Sequence, residues 1–516
     1  MKMRTKLEVL WSGVVLGALF AGMVLGGGSA SGEEVTAGVL GEKSFGRWSD
    51  PIVADCGLLA SLAGKKVEFV RLYVHSGGSF HPIPFQIDEK DEQGNKAYPN
   101  GEHANPQAAN GLVDKGEELV FMARDCGARV SREVFPPGVE VWEEMELEDP
   151  LTHGKGWVYA LYSEASPPPL SAEDYISYEP VGKCPGEGDC QVMLSKYMED
   201  HFYPMEPYFD IKKYNRKIGF SHQFMSTPPA AGGTGVDYVD RLKGRLTVAF
   251  VFGALKYRVN ESKVSFYEAA YKDGPVRLVR NIQIIISLPL GIKAPGIAVD
   301  LLWYDTIVNV PMIINLPFNP GYLYTYLELL VGEDHAPGAI GMKIYNSNNP
   351  EGFVVDGRTS PEEDGNWDNT RDTWRLMTGP QGTIMNRSFW DEEYLKQMKF
   401  VRVDYIDDTS RPDPPESEPG MLGMIAQTNR VEGIKKARYY SYLEWYWPPS
   451  FLFSGPGQTY LLGDEKCYLN IADHPVRLGL QGKTMENRYF GQMPAYEQAE
   501  QVMEKERESM KPVEKE

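Results

Sequence analysis

The chain reads as mainly β: two antiparallel β-sandwich domains, with long loops and a short C-terminal helical tail. Three observations lead there. Tyr (29), Gly (52) and Pro (37) are plentiful, a mixture that favours strands and turns over long helices. Short alternating apolar runs recur at intervals of roughly ten to twenty residues, with turn residues between them. And 516 residues exceed what one hydrophobic core usually organises.

The N-terminus carries an address. Lys2, Arg4 and Lys6 precede an uncharged stretch from Val9 to Gly28, closed by Ser29 and Ala30. A basic start, an apolar middle and small final residues form a secretory signal over 1–30. Its length also suits an uncleaved anchor. Either way the chain is expected to be exported, to the periplasm or the cell exterior. The most apolar later region, 282–326, is interrupted by Pro289, Lys293, Pro295, Asp300, Asp305, Pro311 and Pro317, so no membrane span is expected after the signal.

A first domain is expected over 48–165. Residues 67–74 alternate as a strand, 82–87 and 119–123 follow across an acidic loop, and 138–145 and 156–162 complete the set. The run Ser166-Pro167-Pro168-Pro169-Leu170 marks a boundary, and 166–238 is expected to connect, carrying a Cys184/Cys190 loop. A larger sandwich follows over 239–480, with strand-like runs at 245–252, 275–286, 297–304, 322–330 and 439–447. Polar loops at 365–374 and 407–419 are long enough to suggest function. The charged segment 491–516 reads as a frayed helical tail.

The formal charge is −20, and about −22 without the three basic and one acidic side chains of the signal. Such a surface repels nucleic acid and anionic lipid and suits neutral partners, divalent cations or simple solubility. Five cysteines in an exported chain suggest disulfides, Cys184 with Cys190 and Cys56 with Cys126. No Cys-x-x-Cys-His, paired Cys-x-x-Cys, His-Glu-x-x-His or phosphate-binding Gly-x-x-x-x-Gly-Lys motif occurs, so haem, flavin, nucleotide and iron–sulfur cofactors are not expected. His75-Ser76-Gly77-Gly78 has the composition of an oxyanion loop but lacks a Gly-x-Ser-x-Gly partner, and reads as a glycine hairpin.

The most distinctive blocks are Pro84-Phe85-Gln86-Ile87-Asp88-Glu89 and Asp114-Lys115-Gly116-Glu117-Glu118-Leu119-Val120-Phe121-Met122-Ala123. This pairing resembles an uncharacterised family of exported bacterial proteins. Gly274-Pro275-Val276-Arg277-Leu278-Val279-Arg280 and the 407–419 loop are similar to later blocks of that family. The first block resembles, more distantly, the β-sandwich folds of rhamnogalacturonan lyases and mutarotases. That resemblance implies a supersandwich and sugar recognition by analogy of fold, and no catalytic residue carries over.

Candidate sites follow from residue chemistry. Asp88, Asp91, Asn95, Asp114 and Glu118, with the neighbouring Glu117, place hard oxygen donors on turns, as calcium requires, although no complete EF-hand pattern is present. Arg277 with His222 or Tyr271 could supply the cation and base of a polysaccharide lyase; a structural salt bridge is the competing reading. Tyr442, Trp445 and Trp447, on an alternating strand, and Trp367 and Trp374, near the long loops, are candidates for stacking on sugar faces; aromatic core filling competes. The leading expectation is a carbohydrate-binding, envelope-associated protein with calcium as its candidate ion. The alternatives are a polysaccharide lyase or glycoside hydrolase with a cleft in the larger domain, and an assembly partner of other envelope proteins.

Overall fold

The computed structural model describes residues 38–486 apart from 151, 184–188, 205–216, 251–253, 260–263, 287–296, 317–318, 347, 350–351, 362, 364–373, 391–395, 411–419, 448–475 and 481–482. The signal, the helical tail, Cys184 and Trp367 lie outside the described residues.

The chain is a stack of antiparallel sheets. A six-stranded sheet runs in the order Lys483–Glu486, Arg477–Leu480, Val141–Glu148, Lys155–Tyr162, Val70–Ser76 and Ser79–Pro82. Its last two strands form the hairpin expected from the paired glycines. Gly77 and Gly78 both take positive φ, +57° and +76°, the conformation a two-residue hairpin turn requires.

A three-stranded sheet, Pro51–Asp55, Glu118–Met122 and Gln86–Asp88, lies against it. Its central strand is buried at every position because both of its faces are covered. Leu119 and Phe121 join a core with Leu72, Val158 and Met145 of the six-stranded sheet. Val120 and Met122, on the opposite face, join a core with Val279, Leu302 and Tyr446.

Those last residues belong to a thirteen-stranded sheet that runs from Ile176–Lys183 to Phe353–Val354. Its central strands too are buried on both sides, and the two-residue period of a strand sorts their side chains. Val279, Leu376, Met385 and Tyr446 face the three-stranded sheet. Leu278, Met377, Ile384 and Trp445 face a second core, which Tyr405 reaches from a five-stranded sheet.

Two boundaries differ from the expected domains. The segment expected to connect supplies four strands, Ile176–Lys183, Asp189–Ser195, Glu199–Pro204 and Lys217–Ser226, to the thirteen-stranded sheet. Arg477–Leu480, expected at the end of the larger domain, pairs with Val141–Glu148 in the six-stranded sheet. Among the described residues no helix is long and apolar enough to cross a membrane.

Candidate functional site

Three of the sequence blocks meet at one place. Asp88 and Glu118 are register partners on adjacent strands, so two carboxylates stand side by side in a buried layer, an arrangement that repels unless a cation intervenes. The cation is Arg277, fully buried just ahead of the strand Leu278–Ile286. Its Nε and Nη2 donate to Asp88 at 2.8 and 2.5 Å, Nη2 also donates to Glu118, and Nη1 donates to the Tyr304 hydroxyl at 2.9 Å. Lys272 reaches Asp88 at 2.8 Å, and Lys90 pairs with Glu118.

Gln86 closes the assembly. Its Nε2 donates to Asp88 at 2.8 Å, while its Oε1 accepts from the backbone of Val276 and Arg277 at 3.2 and 2.9 Å. Burial alone would push both acids up. Lys272 and Arg277 outweigh it at Asp88, holding that carboxyl well below the usual range. At Glu118, Lys90, Lys96 and Arg277 do the same, lowering it to about 2.

This geometry gives the acidic blocks a role other than the expected calcium loop. The position a metal would take beside Asp88 and Glu118 is held by protein cations. Asp91 instead accepts from the backbone of Gln93 and Asn95 and from the Asn95 side chain, at 2.9, 2.8 and 2.8 Å, which is a self-capped turn. Asp114 accepts from Asn110 at 2.6 Å. Among the described residues no group of three or more His, Cys, Asp or Glu is placed to hold a metal.

Arg277 is not available for the expected lyase role either. Arg277 is sealed from solvent and committed to Asp88, Glu118 and Tyr304, so it cannot meet a uronic carboxylate. Tyr271 is half-buried and packs edge-on against Tyr178, ring centroids 5.0 Å apart. His222 lies on the strand Lys217–Ser226, and its side chain is outside the described set. Arg280 points to the sheet's other face, paired with Glu268 at 2.6 Å and boxed by the rings of Tyr178, Phe202 and Trp303 at 5.2, 5.4 and 5.0 Å.

Two of the expected sugar-stacking tryptophans, Trp445 and Trp447, are interior. Trp445 is 5% exposed and donates to Glu333 at 2.5 Å; Trp447 is 1% exposed and donates to the Tyr238 hydroxyl at 2.7 Å. The strand that carries Trp445 and ends just before Trp447, Ala437–Tyr446, lies between Ile307–Leu316 and Gly382–Trp390, with a core on each side, so alternation moves a ring from one core to the other rather than to solvent. Tyr442 lies on this strand and Trp374 opens the strand Trp374–Gly379; both side chains are outside the described set.

The open feature is a cleft of 340 Å³ that the sequence reading missed. It lies between the Ser76–His81 hairpin, the turn Arg124–Cys126 that follows Glu118–Met122, and the segment 170–173. Arg124 forms one wall. Its guanidinium is clamped by the rings of Trp48 and Tyr175 at 4.5 and 4.3 Å and donates in bidentate fashion to Asp305 at 3.3 and 2.6 Å.

Beside it, Asp125 Oδ1 accepts from the Tyr175 hydroxyl at 2.9 Å, while Oδ2 is buried with no hydrogen-bond partner. Glu173 Oε2 lies 3.4 Å from the same hydroxyl. Burial raises Asp125 to about 6 against the opposing pull of Arg124 and Tyr175. The only sequence trace of this cleft was the charged pair Arg124-Asp125 just after the second block, which gave no sign that Glu173 and Tyr175 would join it.

No family model matches the chain, and no curated protein matches it.

Proposed function

We propose that this is an exported, envelope-associated carbohydrate-binding protein whose ligand seats in the cleft between His81, Asp125 and Glu173. The observation that carries this reading is the lining. Small-ligand sites combine a concave wall with a few fixed polar groups, and here a half-open cleft presents two carboxylates, an imidazole and serine hydroxyls. Carboxylates accept hydrogen bonds from sugar hydroxyls, and the Asp125 carboxyl has acceptor capacity left over. Arg124 cannot rotate away, because two rings and Asp305 fix it.

The test is calorimetry of the purified chain against a panel of neutral and acidic oligosaccharides, repeated with Asp125→Asn and Glu173→Gln. Binding that weakens about tenfold in either variant supports the site, as expected for loss of a charged acceptor. Saccharide binding untouched by both variants would move the ligand elsewhere, and no binding across the panel would sink the reading.

A glycoside hydrolase is the second reading. Half-buried Asp125 and exposed Glu173 flank one phenol, and the raised Asp125 is suited to proton donation while Glu173 faces water. Release of reducing ends from a bound oligosaccharide, abolished by Asp125→Asn, would favour it over binding alone.

A further inference from the structure

A different pair of acids lacks the internal cations that Asp88 and Glu118 enjoy. Glu363 and Asp407 are both 0% exposed. Asp407 follows the strand Lys399–Ile406, and its two oxygens accept from the backbone of Asp356 and Gly357 at 2.7 and 2.8 Å. Glu363 uses Oε2 to accept from the Ser360 backbone at 2.5 Å. Its Oε1 is buried and has no partner.

The charge around this pair is one-sided. Asp407 and Asp356 both act on Glu363 as like charges, and Asp356 acts likewise on Asp407. Among the described residues no lysine or arginine forms an ion pair with either buried carboxyl. The basic group felt by Asp407 is His335, and that imidazole is engaged with Glu333 at 3.4 Å and with the Tyr405 hydroxyl at 2.9 Å. Burying ionised carboxylates without a countercharge costs several kcal/mol per ion. Either protonation or a cation from outside the described side chains must offset that cost.

We propose that Glu363 and Asp407 form a site for a hard divalent cation. Glu363 Oε1 is its open ligand, and main-chain carbonyls of the two loops with water complete an all-oxygen shell. Two carboxylates suffice for such an ion when backbone oxygens and water supply the rest. The site is independent of the cleft and distinct from the acidic turn at 88–95. It would pin Glu363 and the Asp356–Gly357 turn to the end of the Lys399–Ile406 strand, joining the thirteen- and five-stranded sheets at one edge. The strongly acidic chain adds a long-range field that draws cations toward it.

The test strips the purified full chain with EDTA and exchanges it into chelator-free buffer at pH 7.5. Melting is then followed with calcium or magnesium added, and retained metal is counted per chain. The expected result is one bound equivalent, a rise of a few degrees in Tm, and affinity at least about tenfold weaker in Glu363→Gln. Stripped Glu363→Gln should melt no lower than the stripped parent, because the variant removes an uncompensated charge. Absence of both a shift and retained metal would overturn the proposal, and burial would then be met by protonation of the acids. A full shift surviving in Glu363→Gln would overturn it equally. Should that variant misfold, terbium luminescence sensitised by Tyr405 in the parent, and quenched by added calcium, decides the question, with no sensitised emission counting against the site.

Discussion

Arg277 and Asp88 are joined by two hydrogen bonds, 2.8 and 2.5 Å, across 189 positions of sequence, and neither side chain is more than 2% exposed. One comes from the three-stranded sheet and the other from the thirteen-stranded sheet. The contact therefore fixes how two large layers dock, and Lys272, Gln86 and Glu118 brace it. Truncating one member leaves the others charged in a dry layer. Arg277→Ala should lower stability by about 3–5 kcal/mol, read by urea denaturation. A loss below about 1 kcal/mol, the range of an exposed ion pair, would mean that water reaches the cluster.

Gly274 tests the same lock by shape. A Cβ at this position would lie 2.3 Å from Gln86 Oε1, and that oxygen is held by two backbone donors, so it cannot simply swing aside. Gly274→Ala should destabilise by about 1–3 kcal/mol through overpacking. In Gln86→Ala the obstruction is gone, and adding Gly274→Ala should cost much less than it does in the parent. Additive losses in the double-mutant cycle would show that the clash is relieved by backbone movement rather than set by Gln86.

The same residues show what a single sequence could and could not reveal. Local patterns were readable. The apolar run around Leu278 and Val279 marks a strand, and Gly77-Gly78 marks the hairpin turn between Val70–Ser76 and Ser79–Pro82. The special character of Asp88 and Glu118 was visible too, as acids beside apolar runs. Their partner was not, because Arg277 is brought to them only by the packing of one sheet on another, and without it the acids read as a metal loop. Trp445 and Trp447 misled for a related reason. Alternation implies one outward face only when one face of a sheet meets water, and this strand is central in a sheet covered on both sides. The cleft depends on three distant segments and left almost no local pattern.

Cys56 and Cys126 were expected to pair and are instead free, buried thiols in one core. Burial pushes both up, Cys126 to about 12, so neither supplies thiolate near neutrality. Alkylation of the native chain at pH 8, followed by peptide mapping, should leave both unmodified, and both should react fully in denaturant. Rapid labelling of either one in the native protein would place it at the surface, and an oxidised pair in the denatured chain would restore the expected disulfide.

The pH dependence of stability follows from two opposed sets of acids. Asp88 and Glu118 are depressed by Lys272, Lys90 and Arg277, overcoming burial. Their stabilisation is present above the unfolded carboxylate range of about 4 and disappears as pH falls through their folded values. Burial raises Asp125, Asp273 and Asp407 to about 6 and Glu117, Asp237 and Glu363 to about 7. For these the folded state holds more protons between about pH 4 and pH 7, so stability falls as pH rises through that window. Below about pH 4 the slope reverses, because there the unfolded chain binds more protons than the depressed pair. Melting in chelator should therefore peak near pH 4–5, lower than the usual optimum of about pH 5–8. With calcium present, the decline toward pH 7 should flatten by the share that Glu363 and Asp407 contribute, since a bound cation favours their ionised forms. A chelated melting curve that rises steadily from pH 4 to pH 8 would show that the raised acids are solvated in the folded chain.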